Sequence, residues 1–385
     1  MLLRKFIDLI TSLKLTIACL AAAMALIFAG TLAQVHLGIW EAQQRYFQSL
    51  FVWWPAEGNG FRIPIFPGGH LIGAILLVNL IAAHVKRFRW TWRKLGIHLT
   101  HAGLIIMLAG GLFTDLFAVE SHMRLNVGGT KNFSEDPRRM ELAVIDTTNP
   151  EVEQVTAIPE SVLRRGGTIE HKSLPFRIAV RHYYQNSRLQ MAGEAGGAKQ
   201  PIANRGPGAQ AVVEPVPRST GVNDRDLVTA AVEILAAEGS LGIWLVSDAL
   251  DAPQTFSAGD RTWQLAMRPV RYYKPYSVTL QKFTHEKYPG TEIPKDFASR
   301  ITLIDEDGGV NRNVLIYMNH PLRYRGETYY QAGFERDDRT SILQVVRNPS
   351  FLAPYIACII VAAGLLVQFG YHLVGFSRRE RAVPA

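Results

Sequence analysis

The stretch Gly96–Gly111, GIHLTHAGLIIMLAGG, places two imidazoles, His98 and His101, three residues apart at the opening of a long apolar run. An ionisable side chain inside a membrane span is costly to bury and marks a functional site by default. Burial favours neutral imidazole, a common ligand for transition metals and for haem iron. Residues i and i+3 share one helix face, so the two rings cannot readily take opposite sides of one flat macrocycle. A two-histidine site therefore needs its second ligand from another helix.

The elements that position these rings follow from hydropathy. The chain has 385 residues, 48% of them hydrophobic, and the apolar content falls into four blocks. Leu15–Ala33 carries no charge over 19 residues, enough to cross about 30 Å of hydrocarbon at about 1.5 Å per helical residue. His70–Val85 follows a Pro-Gly-Gly break, and Ile97–Phe117 and Phe351–Val374 complete the set. The spacing predicts an integral membrane protein with four transmembrane helices, about 15–33, 70–85, 97–117 and 351–374, the first a retained anchor and not a cleaved signal. Basic residues flank particular ends: Arg4, Lys5 and Lys14 before the first span, Lys86, Arg87, Arg89, Arg93 and Lys94 between the second and third, and Arg378, Arg379 and Arg381 after the fourth. Positive flanks stay in the cytoplasm, which predicts both termini inside a cytoplasmic (inner) membrane and the long segment 118–350 on the periplasmic or extracellular side. On this reading His98 and His101 lie near the cytoplasmic boundary, with His84 and His372 at inward-running span ends beside the cationic loop. His36 and His70 sit at the outer boundary, read as solvated, with the lining of an exit site as the other reading, and Trp53 and Trp54 are read as an interfacial aromatic belt, with stacking on a flat macrocycle as the other reading. Asn79, mid-span, is expected to hydrogen-bond between helices. The net charge of +8 is largely these flanks and gives no argument for nucleic acid.

Residues 118–350 alternate apolar and polar positions in short runs: Leu142–Ile145, Phe176–Val180, Tyr276–Leu280, Ile301–Ile304, Val314–Tyr317 and Ile342–Val346. Period-two alternation predicts strands with one buried face, separated by turns at Val127–Thr130, Asp305–Gly309 and Arg325–Gly326. The fold class expected is thus four membrane helices plus a large, mostly antiparallel β-rich extracytoplasmic domain between helices three and four. Met191–Ser219 is poor in large apolar residues and reads as a mobile surface insertion. Ala230–Val246 is expected to include a short helix, His182 to point into the core, and His320 to stabilise a turn. The two cysteines, Cys19 and Cys358, both fall in spans, which excludes a disulfide scaffold or a CxxC oxidoreductase in the outer domain. The sequence contains no repeat, phosphate-binding loop, metal-spaced Cys/His cluster or nucleophile elbow.

Several stretches together resemble the ResB-like (CcsB) family of cytochrome c biogenesis proteins, the System II route. They are Ser12-Leu13-Lys14-Leu15-Thr16-Ile17, Gly30-Thr31, His101-x-Gly103, the run Asn319–Gln331 (NHPLRYRGETYYQ), and Val345-Val346-Arg347-Asn348-Pro349. The resemblance implies a subunit that helps move haem b, bound transiently, across the membrane and present it to apocytochrome c for thioether formation. It implies a partner of the ResC (CcsA) type, with a thioredoxin-like reductant as a further partner, and membrane lipid around the spans. That partner type carries a tryptophan-rich haem motif which Trp53-Trp54 and Trp90-Thr91-Trp92 here do not match, so any lyase activity belongs to a two-component synthetase. The family pattern favours His101 as an axial ligand to haem iron, with a partner histidine opposite. His98 is then a neighbouring positioning group, an alternative ligand, or an interfacial residue. No catalytic residue is identified. Two other readings stay open: a non-enzymatic scaffold that binds apocytochrome or a thiol reductant, and a cytochrome b-type redox subunit.

Overall fold

The computed structural model describes residues 1–55, 61–192, 200–221, 225–250, 254–291, 294–335 and 339–380. Arg381 of the expected basic tail and residues 193–199 of the expected insertion lie outside the described residues. The chain divides into two units, Met1–Val119 with Arg347–Ala385, and Glu120–Val346.

The first unit is helical: α1 (Leu2–Ile10), α2 (Leu13–Ala42), α3 (Gly69–Arg87), α4 (Leu95–Phe117) and α5 (Ala353–Glu380). Four segments are long and apolar enough to cross a membrane: Leu13–Phe47, Gly69–Arg87, Trp92–Phe117 and Ala353–Ser377. The first outruns the expected 15–33, because helix continues through a bend at Gly38 (φ 76°) into a π turn, Gln43–Phe47. The Phe47 ring folds back onto Gly30, where a Cβ would stand 2.7 Å from it. The break between α1 and α2 is held from α3. Asn79, buried, accepts from Thr16 Oγ1 (2.6 Å) and donates to the carbonyls of Ile10 (2.7 Å) and Ser12 (3.2 Å), as an interhelical hydrogen-bonding residue should.

Helix α4 carries glycine at every seventh position, Gly96, Gly103 and Gly110, all buried against α5. A Cβ on Gly103 would lie 2.5 Å from Val361 Cγ2 and 2.9 Å from the Ala357 carbonyl oxygen. The stripe lets two helix backbones approach, which is how apolar helices gain packing where no hydrophobic drive separates them from lipid. At about 100° per residue, His98 and His101 project from the opposite side of α4. The glycine seam faces α5, and the imidazole face is left for α3. Between α2 and α3, strands β1 (Phe51–Trp54) and β2 (Ile63–Pro67) form a hairpin.

The second unit contains β3 (Val119–Asn126), β4 (Thr130–Asp146), β5 (Gln154–Pro159), β6 (Gly167–Ile169), β7 (Arg177–Tyr184), β8 (Ser187–Met191), β9 (Ala211–Pro215), β10 (Thr229–Ala236), β11 (Gly239–Ser247) and β12 (Gln254–Ala258). It continues with β13 (Arg261–Lys287), β14 (Pro294–Asp305), β15 (Val310–Tyr317), β16 (Leu322–Tyr324), β17 (Glu327–Phe334) and β18 (Thr340–Arg347). The main sheet runs β15-β14-β13-β4-β3-β18-β17-β16, with β12 and β5 paired to β13 and β4. A second sheet runs β11-β10-β7-β6. The long strand β13 passes through two cores, and its partner β4 lines the first of them. Their register breaks between the pairs Arg271↔Glu135 and Pro269↔Met140, where Asp136 accepts backbone N–H groups of Arg138 (3.0 Å) and Arg139 (2.9 Å). One core packs Leu142, Trp263 and Leu265 against Ile178, Val232 and Val246; the other gathers Val278, Ile301, Tyr329 and Leu343.

Five of the six expected strands lie wholly within observed ones, and the sixth, Phe176–Val180, begins one residue before β7. Three other expectations are corrected. Ala230–Val246 forms the hairpin β10–β11, not a helix, because Ala230, Ala231, Val232 and Ile234 are all buried, and burial on both faces overrides helical propensity. The stretch 191–219 contributes β9, which pairs with β8, and Ala203 and Ala211 join Leu245 in a small core, so those residues are built into the domain. His182 is exposed and stacks on Tyr184, because a bulge skips Arg181 between the pairs Val232↔Val180 and Ala231↔His182 and shifts the alternation by one.

Candidate functional site

The short connection between α3 and α4 makes them an antiparallel hairpin and brings three imidazoles together. His84, near the end of α3, lies with its ring centroid 5.2 Å from that of His98 and 5.3 Å from that of His101, nearly parallel to the latter at 26°. All three are half-buried. Phe88 lies 4.7 Å from His98, and Trp90 stacks parallel to it at 6.3 Å. The connection is cationic, with Lys86, Arg87, Arg89, Arg93 and Lys94. Lys86 and Arg87 reach back to Asp8 and to the Thr11 carbonyl oxygen.

Hydrogen bonding distinguishes the two sequence candidates. A carbonyl oxygen only accepts, so at His101 it is Nδ1–H that donates to Ile97 O (2.8 Å), one turn back on α4. The lone pair of the neutral ring is then on Nε2, the nitrogen furthest from the backbone. At His98 the reverse holds: Nε2–H donates to Arg89 O (3.1 Å), and the lone pair is on Nδ1, which is buried without a partner. His101 thus has its outer nitrogen available as a ligand, its orientation set by a backbone acceptor as in ligating histidines generally. His98 has its outer nitrogen committed. His84 and His101, stacked face to face, cannot both aim nitrogens at one iron from opposite sides, so a six-coordinate iron on His101 would take its other ligand from elsewhere. Among the described residues no group of three or more His, Cys, Asp or Glu side chains has the arrangement of a metal-ion cage. His372 is bonded instead to Gln368 on its own helix (2.8 Å).

At the other end of the same two helices His70 is paired, contrary to its reading as a solvated boundary residue. Its Nε2 lies 2.5 Å from Asp115 Oδ2, and Gln48 Nε2 donates to Asp115 Oδ1 (2.7 Å). Sequence reasoning passed over Asp115; the available signal was a carboxylate 14 residues after His101, mirroring the 14 from His70 to His84. His36 is exposed, as are Trp53 and Trp54 on β1.

In the β-rich unit, the run Asn319–Gln331 shows what its polar side chains are for. Tyr324 and Arg325 both hydrogen-bond Asp305, a buried carboxylate at the end of β14. Glu327 receives Lys274 Nζ (2.7 Å), Tyr276 OH (2.6 Å) and Tyr329 OH (3.0 Å). Gln331 accepts from Ser299 and donates to Ser341. Burial pushes the Glu327 carboxyl up, but hydrogen bonds from Lys274 and Tyr276 outweigh it and hold the group below its ordinary value. Burial pushes the Tyr329 hydroxyl far up, so it stays protonated and acts as a donor. His320 stacks on Tyr317 at 4.1 Å across a backbone-bonded turn, as expected. The carboxylates, hydroxyls and amide of this network satisfy one another, so this part of the run specifies strand packing.

A helical membrane unit joined to an antiparallel β-rich unit defines the class: a multi-pass membrane protein with a large sheet domain. Residues 246–342, which contain the run just described, match the model of the ResB-like family, so the resemblance read from the sequence holds over that part of the chain. The chain is similar to Protein NrfI of Wolinella succinogenes, 28% identical over 113 residues, 29% of this chain and 12% of that protein. It is also similar to Cytochrome c biogenesis protein CcsB of Synechococcus sp. (strain CC9311), 37% identical over 78 residues, 20% of this chain and 17% of that protein. The chain thus spans less than a fifth of the length of each of these relatives.

Proposed function

We propose that this protein is a haem-handling subunit of a cytochrome c maturation system, acting with a ResC/CcsA-type membrane partner and apocytochrome c. The observation that carries the proposal is the bonding of His101: Nδ1–H is held by Ile97 O, and Nε2 faces away from the backbone inside a cluster of imidazole and aromatic rings. In this reading haem is cargo. His101 supplies one axial nitrogen, the ring faces of His84, Phe88 and Trp90 offer apolar contact, and the cationic connection suits the carboxylates of haem. The basic flanks support an orientation with this end of the helices toward the cytoplasm and the β-rich unit outside, where it would help present apocytochrome. The similarity to a cytochrome c biogenesis protein supports the same assignment.

The test is the visible spectrum and haem content of the detergent-purified protein, co-expressed with such a partner. His101→Ala is expected to lose haem with complex assembly unchanged, and His98→Ala to retain it. Full retention in both would refute the assignment and favour the scaffold reading.

A further inference from the structure

The His70–Asp115 pair lies 14 residues along both α3 and α4 from the imidazole cluster, about 21 Å at 1.5 Å per residue. The two sites therefore sit toward opposite faces of a bilayer whose hydrocarbon is about 30 Å thick. The pair is more elaborately held than a boundary ion pair requires. His70 is fixed by its backbone N–H donating to Ser49 O (3.2 Å), and Gly68 and Gly69 lie so close to the carbonyls of Ser49 and Phe47 that no Cβ fits. Asp115 is fixed by Gln48, so one carboxylate oxygen is occupied and the other faces the imidazole. The other charged side chains on the adjoining turn, Arg45 and Glu41, pair with each other.

A carboxylate accepts only, so His70 Nε2 carries the hydrogen and Nδ1 carries the lone pair. Nε2, the nitrogen that reaches furthest from the backbone, is thereby taken, which argues against His70 as an iron ligand. A neutral imidazole whose N–H is held by an oriented carboxylate is the arrangement of a general base. Both side chains keep nearly a third of their surface exposed, 29% for His70 and 28% for Asp115, so the ring is reachable. Two residues beyond Ser49 begins the β1 strand, with Phe51, Trp53 and Trp54 all exposed. The site thus combines a proton acceptor with a neighbouring aromatic ribbon.

We infer that His70, held by Asp115 and Gln48, is a proton-accepting residue for a thiol at the outer ends of α3 and α4. This rests on the cytochrome c maturation reading, which supplies the thiol and its acceptor. His70 Nδ1 takes the S–H proton of an apocytochrome cysteine. The sulfur bonds to the vinyl carbon attached to the porphyrin, and the terminal vinyl carbon receives the proton back from the imidazolium. One S–H and one C=C π bond are lost, one C–S and one C–H are gained, and nothing is oxidised or reduced. Asp115 acts as a positioning residue, keeping Nδ1 as the unprotonated nitrogen.

The experiment uses the full chain in complex with its partner, loaded with haem by co-expression, and a synthetic Cys-x-x-Cys-His peptide as thiol donor. The measured quantity is the initial rate of covalent attachment. Asp115→Asn, which preserves side-chain shape, and His70→Ala are each expected to retain haem and assembly while slowing attachment about a hundredfold, the usual worth of a general base. A free thiol titrates near pH 8.5, so raising the pH from 7 to 9 increases its thiolate fraction about 25-fold. The variants are expected to regain rate by about that factor, and the wild type by much less. Haem-loaded variants with wild-type rates overturn the assignment. So does slow attachment with no alkaline recovery, which would make the pair a helix-end clasp. A wild-type complex without haem is a different failure, that of the maturation reading itself.

Discussion

Glu327 is the hinge of the buried polar network in the β-rich unit, and its removal has a calculable cost. Lys274 keeps 3% of its side-chain surface exposed and Glu327 18%, and their contact is 2.7 Å. Replacing Glu327 with leucine leaves an ammonium group enclosed without its counter-charge. Breaking one side of a buried pair in this way costs about 3–5 kcal/mol. Tyr276 and Tyr329 lose Glu327 as acceptor but keep each other (2.7 Å), so their contribution to the loss is smaller. For a domain of this size each kcal/mol moves the midpoint by about 2–4 °C, giving a fall on the order of 10 °C. The assay is thermal unfolding of the full chain in detergent, followed by fluorescence, since Trp244 and Trp263 are buried in the other core of the same unit. Lys274→Met combined with Glu327→Leu removes both charges and is expected to recover most of the loss, because a well-packed apolar pair can replace a buried ion pair. A single-variant loss under about 1 kcal/mol, or a double variant as unstable as the sum of the singles, would refute the reasoning.

Other consequences are open to direct measurement. Glu327 and Asp136 titrate below their ordinary values of 4.5 and 3.8, so their stabilisation is present above those values and is lost as pH falls through the depressed ones; in an acid titration of the unfolding midpoint, Glu327→Gln should remove part of the decline that wild type shows below about pH 4.5. Gly103→Leu should disrupt the α4–α5 seam and cost about 1–3 kcal/mol or more by overpacking, whereas Gly111→Leu, with nothing within 4 Å of its Cβ position, should be tolerated; equal effects on thermal stability in detergent would contradict the seam. Asn79→Leu deletes three hydrogen bonds holding the α1–α2 break and should cost about 1–2 kcal/mol, read as a lowered midpoint.

Much of this was legible in the sequence for physical reasons. Uncharged runs such as Leu15–Ala33 admit few readings other than a span, and the alternation in Tyr276–Leu280 or Ile301–Ile304 names the buried face directly. Local propensity failed at Ala230–Val246, where alanine, leucine and glutamate suggest a helix and only the facing strands β7 and β11 decide otherwise. His182 was misread because one bulged residue inverts a strand's two faces. Of the site, the sequence yielded His98 and His101 and their shared helix face. It did not yield the nitrogen on which each lone pair lies, since that depends on the Ile97 and Arg89 carbonyls, nor the pairing of His70 with Asp115, which depends on how α3 and α4 align.

His101 is proposed to hold haem iron through Nε2. The most direct test is His101→Gly, co-expressed with the partner and purified in detergent, with visible spectra recorded without and with added imidazole. The expected result is loss of the bound-haem spectrum in the variant and its return when imidazole fills the vacated position. A His101→Gly complex that keeps its haem and spectrum without imidazole would contradict it.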